Sequence, residues 1–268
     1  MKVFISCDIE GVTTTTRWEQ TYTSPEKLSW SAPFQAQMTR EVVAACNGAI
    51  RAGATEIFIK DAHGAAINID PHALPECAKL CRNWSGHPYG MVEGVDNTFD
   101  AAMFVGYHSA AGREGSPMSH TRTTSTTAVK LNGKKFSEFE FYSLACALEG
   151  VPSVLLTGDQ MLIDDTAYLH PCLKSVAVKE GWGGRTISIA PSLAEKRIEQ
   201  AAFEALSQDF KGKLPEIPEH FVLEITYKDH VMATKMSYFP GFRKCDDNSI
   251  VMETDDLVEV LRALRFVL

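Results

Sequence analysis

Through most of the chain, short apolar runs alternate with longer stretches in which apolar residues recur every three or four positions. Val3-Phe4-Ile5-Ser6-Cys7 is too short for a helix and rich in β-formers, the signature of a strand buried on both faces. From about Ala32 to Ala52, Met38, Val42, Val43, Cys46 and Ile50 keep helical spacing, and Gly53 supplies a stop. Glu56–Lys60, Ala101–Gly106, Val154–Thr157 and Ser175–Val178 repeat the strand pattern. Ser137 with Glu140 has capping-box spacing and opens a helix through Glu149; Ser192 with Glu195 repeats the device for a helix to about Phe210. This alternation predicts a three-layer α/β/α fold around a mostly parallel sheet.

The pattern changes after Lys211. Two prolines in Lys213-Leu214-Pro215-Glu216-Ile217-Pro218 interrupt regular structure, and Phe221, Leu223, Ile225 and Tyr227 then alternate with more polar neighbours, as in a half-buried strand. A helix from about Val231, a strand at Ser249–Met252 and a helix from Asp255 complete a small C-terminal α+β appendage. The expected division is a metal-binding catalytic α/β region, residues 1–212, and a smaller α+β region, residues 213–268.

Of 268 residues 34 are acidic and 26 basic, a formal net charge of −8. No cluster of Lys and Arg offers a nucleic-acid backbone a footprint, so no nucleic-acid partner is expected. Seven cysteines at irregular spacing do not form an oxidised framework; Cys77 and Cys81, four apart, read as two thiols on one helix face. Met1-Lys2 runs straight into the first strand without a basic-then-apolar leader, and no apolar stretch approaches the ~20 residues that span a bilayer. The expectation is a cytoplasmic protein with no membrane partner.

Three predicted strands run into potential metal ligands: Asp8-Ile9-Glu10-Gly11, Asp61-Ala62-His63-Gly64 and Tyr107-His108-Ser109. In an open α/β sheet the carboxyl ends of the strands share one crevice, so these side chains are expected to converge. Asp8 and Glu10, two apart in extended chain, point the same way and repel unless a cation neutralises them or a pKa rises. Imidazole mixed with carboxylate suits zinc or another first-row divalent ion. Asp61 is a candidate for orienting an imidazole, or a turn residue. His120 stands in a polar stretch, Ala111 to Thr127, as a candidate general acid or base. Glu138 and Glu140 are both explicable by the helix start alone, and Asp159 by another. Gly181-Trp182-Gly183-Gly184-Arg185 reads as a flexible turn, with Arg185 a possible clamp for a substrate carboxylate.

At these residues the sequence resembles the M55 family of zinc-dependent D-aminopeptidases. The matching pieces are Ser6 to Gly11, Asp61-Ala62-His63, Met91 to Asp100 running on through Gly106-Tyr107-His108, Met118-Ser119-His120, the Glu138 helix start, Gly150-Val151-Pro152 and Gly158-Asp159. They keep the family's order over residues 1 to about 180. The resemblance implies two Zn2+ per subunit, with Asp8 bridging, Glu10 and His63 completing one ion, and His108 and Glu138 the other. Glu140 is then the helix cap, and His120 matches the catalytic histidine. A homo-oligomer is implied too, a homodecameric ring whose active sites face an internal channel. The threonine run with Trp18, the interval between His108 and His120, and the Trp182 turn depart from the family pattern and are placed at the substrate entrance.

The expected activity is removal of the N-terminal residue, a D-amino acid, from short peptides by a hydroxide shared between two metal ions. His120 would donate a proton to the leaving amine or stabilise the oxyanion. Two alternatives stand beside it: a dinuclear hydrolase of another amide or a phosphoester, and a peptide-binding protein with a non-catalytic metal site.

Overall fold

In the computed structural model, which describes residues 1–169 and 172–268, the first strand divides its side chains between two cores. In β1 (Lys2–Cys7), Val3, Ile5 and Cys7 join one apolar cluster while Phe4 joins the other, as the two-residue period of a strand requires. The chain continues through α1 (Leu28–Arg51), β2 (Glu56–Asp61), β3 (Ala78–Cys81), β4 (Ala101–Tyr107), β5 (Thr126–Leu131) and β6 (Lys134–Lys135). Then come α2 (Glu138–Leu148), β7 (Ser153–Asp159), α3 (Gln160–Thr166), β8 (Lys174–Trp182), β9 (Arg185–Ser188) and α4 (Pro191–Ser207). Last are β10 (Phe221–Tyr227), α5 (His230–Met236), β11 (Arg243–Lys244), β12 (Ser249–Thr254) and α6 (Leu257–Val267).

Seven strands form the main sheet in the order β3-β2-β1-β4-β7-β8-β9, parallel except for the β8–β9 hairpin. One face is covered by α1 and α4, which supply Met38, Val42, Cys46, Ile198 and Ala202 to the first core. The other is covered by α2, α6 and a second, antiparallel sheet ordered β11-β12-β10-β5-β6. The α/β architecture agrees with the sequence pattern.

The differences have local causes. Residues 78–81 are a strand beside β2, not a helix carrying Cys77 and Cys81 on one face; four residues are too few for periodicity to tell the two apart. The polar segment through Thr127 leads into β5, which pairs with β10, so two strands of the second sheet come from the middle of the chain. Helix α1 starts one turn before Ala32 and keeps Pro33 within it. Ser192 and Glu195 form no capping box. Pro191 presets the first turn of α4, Ala190 is the cap, and Glu195 pairs instead with Arg40 at 3.1 Å. The Ser137–Glu140 box of α2 is complete.

Helix α1 also anchors the segment that follows β1. Buried Glu41 accepts from the Thr13 backbone N–H at 3.0 Å and from Gln37 at 3.2 Å, while its Oε2 has no partner. Burial pushes its carboxyl from 4.5 up to about 7. Because the folded-state value lies above the unfolded one, this stabilisation is complete below 4.5 and is lost as pH rises through about 7. Glu41→Gln should remove that slope. Relative to wild type, chemical denaturation should show the variant gaining up to about 3 kcal/mol between acid and mildly alkaline pH. Parallel stability–pH curves for the two proteins would count against it.

Candidate metal centre

The sheet order places β1 between β2 and β4, so residues leaving its carboxyl end have the ends of both neighbours on either side. Asp8 follows β1, His63 follows β2 and His108 follows β4. The chain crosses from β1 onto β4 at Gly11, whose N–H donates to the Gly106 carbonyl at 2.8 Å. A Cβ on Gly11 would lie 1.7 Å from the Tyr107 carbonyl oxygen, and one on Gly106, at φ +76°, would lie 2.2 Å from the Asp8 carbonyl. Only glycine permits this approach.

The carboxylate of Asp8 faces two imidazoles at once. Its Oδ1 is 3.3 Å from His63 Nδ1 and its Oδ2 is 3.4 Å from His108 Nε2. Glu10 Oε2 lies 2.9 Å from the same His63 nitrogen. Glu138, the first residue of α2, sets Oε2 3.7 Å from His108 Nε2 and Oε1 3.7 Å from His120 Nε2. Each imidazole is oriented through its other nitrogen: His63 Nε2 donates to the Thr21 carbonyl, His108 Nδ1 to that of Ser109 and His120 Nδ1 to that of Met118, all at 2.9 Å. The nitrogens left to face the carboxylates are His63 Nδ1, His108 Nε2 and His120 Nε2; against the effect of burial, the neighbouring carboxylates raise His63 well above the usual imidazole value and raise His108 too, favouring protons there that a cation would displace.

This donor set fits divalent cations. Asp8 Oδ2 and His108 Nε2 are buried without a hydrogen-bond partner, a costly state that a cation relieves. Two ligand atoms on one tetrahedral zinc, with bonds near 2.0–2.1 Å, stand about 3.3 Å apart, close to the Asp8–His63 and Asp8–His108 separations. Ligand atoms of Asp8, Glu10 and His108 lie within 4.8 Å of one another, as do those of His108, His120 and Glu138. Burial, then the charge of Glu10, pushes the Asp8 carboxyl up to about 8. Burial would raise Glu10 as well, but the attraction of His63 outweighs it and holds Glu10 well below the carboxylate range. Burial and the neighbouring His108 hold His120 below the usual imidazole value.

Of the other candidates from the sequence, Glu140 closes the capping box and Asp159 caps α3 while accepting from the Ser109 N–H at 2.7 Å. Asp61 does not touch an imidazole. It accepts from the N–H groups of Asn68 and Ile69, and Asn68 in turn donates to the His63 carbonyl at 2.8 Å. Arg185 stacks on Trp182 in the β8–β9 hairpin, outside the cavity over the candidate ligands. That cavity, of about 390 Å3, is walled by Trp18, Trp84, Arg122 and Arg265. Trp18 meets the His120 ring edge-on at 5.2 Å, in keeping with its expected place at the entrance. Arg122, Arg265 and Trp84 carry no sequence signal, because each belongs to a different segment.

Carboxylates and imidazole nitrogens gathered at the strand ends of an α/β sheet are the equipment of a metallohydrolase. The peptidase M55 family model, described as D-aminopeptidase, matches residues 1–266, and the chain belongs to that family. It is 25% identical to a D-aminopeptidase of Bacillus subtilis (strain 168) over 266 residues, covering 98% of this chain and 95% of the relative. It also superimposes with a TM-score of 0.89 on the zinc-dependent D-aminopeptidase DppA from Bacillus subtilis, described as a self-compartmentalizing protease. That match has 23% identity and covers 100% of this chain and 96% of the other. Membership of a peptidase family sets aside the reading as a binding protein.

Proposed function

We propose that the protein is a zinc-dependent aminopeptidase that removes an N-terminal D-residue from short peptides. In this reading Asp8 would be shared between two ions, Glu10 and His63 would hold one, and His108 and Glu138 would hold the other. The observation that carries this reading is the Asp8 carboxylate, whose two oxygens approach ring nitrogens of two different histidines, each already oriented by a backbone carbonyl at its other nitrogen. Bound there, a pair of divalent ions would lower the pKa of a water and polarise the scissile carbonyl.

The chain's own groups supply the rest. His120, whose pKa burial and His108 hold below the usual imidazole value, takes a proton at Nε2 from the attacking water and passes it to the leaving amine. Trp18 and Trp84 cover the cavity and limit bulk water within it. The seven free cysteines favour a reducing, cytoplasmic setting, and among the described residues no helix is long and apolar enough to cross a membrane. A homo-oligomer, in the decameric form the family resemblance implies, accords with the self-compartmentalizing relative.

The test is turnover of matched D- and L-amino-acid amides and dipeptides, with and without chelator, alongside elemental analysis. Cleavage of the D series, its loss with chelator, its return with zinc and about two ions per chain are expected. Chelator-resistant cleavage, or release of phosphate from phosphoesters in place of amide cleavage, would overturn the proposal.

A further inference from the structure

The cavity over the candidate metal centre is lined by groups of both signs: the carboxylates of Asp8, Glu10 and Glu138, and the side chains of Arg122 and Arg265. Among the described residues neither arginine forms an ion pair with a carboxylate, although most other arginines do. Arg122 hydrogen-bonds the Tyr142 side chain and is attracted by Glu138, while its Nε is buried without a partner; Tyr142 also feels the charge of Arg265. Arg122 is held at φ +64°, a strained backbone for a long side chain, and such strain concentrates where a group must be aimed at a ligand. Arg265 comes from the last turn of α6, at the far end of the chain from Asp8.

Two guanidiniums that line one cavity and form no ion pair with a carboxylate make a receptor for a substrate carboxylate, whose two oxygens match the fork of N–H donors. We propose that Arg265, with Arg122 beside it, binds the C-terminal carboxylate of the substrate, so that the enzyme reads both ends of a very short peptide. A volume of about 390 Å3 stands at the small end of ligand pockets, in keeping with a di- or tripeptide. This rests on the aminopeptidase reading and adds the substrate class: free-acid peptides, in preference to amidated or long ones.

Arg265 is the position to test, because the Arg122 backbone also donates to Glu138 at 2.6 Å. The measurement is kcat/KM for one D-dipeptide as free acid and as C-terminal amide, in wild type, Arg265→Ala and Arg265→Lys, with metal content and melting as folding checks. Wild type should prefer the acid. Its acid-to-amide ratio should fall about 10–100-fold in Arg265→Ala, mainly through KM on the acid, and by less in Arg265→Lys, which keeps the charge without the fork. A ratio that stays the same in both variants, or a wild-type preference for the amide, overturns the clamp and leaves the aminopeptidase reading standing. If wild type cleaves neither form, that reading fails and the clamp with it.

Discussion

Asp8→Asn is expected to abolish peptidase activity while leaving the metal-free protein at least as stable as wild type. The two effects share one cause. Asp8 is buried beside Glu10, which together with burial pushes its carboxyl up to about 8. Its folded-state value thus lies above its unfolded one, so in the metal-free protein its contribution is complete below 3.8 and is lost as pH rises through about 8. An amide of the same shape carries no charge to desolvate, and near pH 9 the variant should be more stable than metal-free wild type by about 1–4 kcal/mol. With metal present the order reverses. Asn cannot offer two anionic oxygens, so zinc affinity should fall by more than about 100-fold and activity with it. Thermal melts with and without zinc, read beside turnover, decide the matter. Equal zinc-induced stabilisation of both proteins would show that Asp8 holds no ion. His120→Ala is the contrasting variant, expected to keep its metal and lose about 10²–10⁴ in kcat. Loss of metal there would make His120 a ligand, a position open to it beside His108 and Glu138.

The second large effect is expected at Lys179, a buried ammonium on β8 that no sequence pattern marks out. It donates to the carbonyls of Glu10 and Thr15, tying the segment that carries Glu10 to the main sheet. Burial pulls its pKa down to about 8 against the attraction of Asp159, Glu10 and Glu41, so at neutral pH it is a cation beneath an acidic site. Lys179→Met fills similar volume but strands two carbonyls without this donor and removes the positive charge facing those acids. A loss of about 3–5 kcal/mol follows, lowering Tm by roughly 10 °C in a chain of this size. Zinc affinity should also weaken by about 10–100-fold, because Glu10 loses its backbone support. A methionine variant with wild-type melting and wild-type zinc affinity would remove Lys179 from the support of the site.

The strand-end motifs were legible without coordinates because two local rules produce them: apolar runs mark β1, β2 and β4, and a polar residue after such a run sits at the sheet's carboxyl edge. Asp8, His63 and His108 could be nominated on that basis, and Glu140 recognised as a cap from its spacing to Ser137. Glu138 was not separable from Glu140 by spacing; the family resemblance singled it out. Residues 78–81 and 126–131 escaped as strands because what makes them strands is pairing with β2 and with β10, partners far along the chain.

The amino-acid order alone therefore determined the α/β class, the main helices and the candidate ligand types, since each depends on neighbours within a few residues. Only the folded chain decided that β1 lies between β2 and β4, which sets His63 and His108 on opposite sides of one carboxylate. The same holds for the cavity wall, where Trp18, Trp84, Arg122 and Arg265 meet from four separate segments. Long-range packing fixes such meetings, and no local period encodes them.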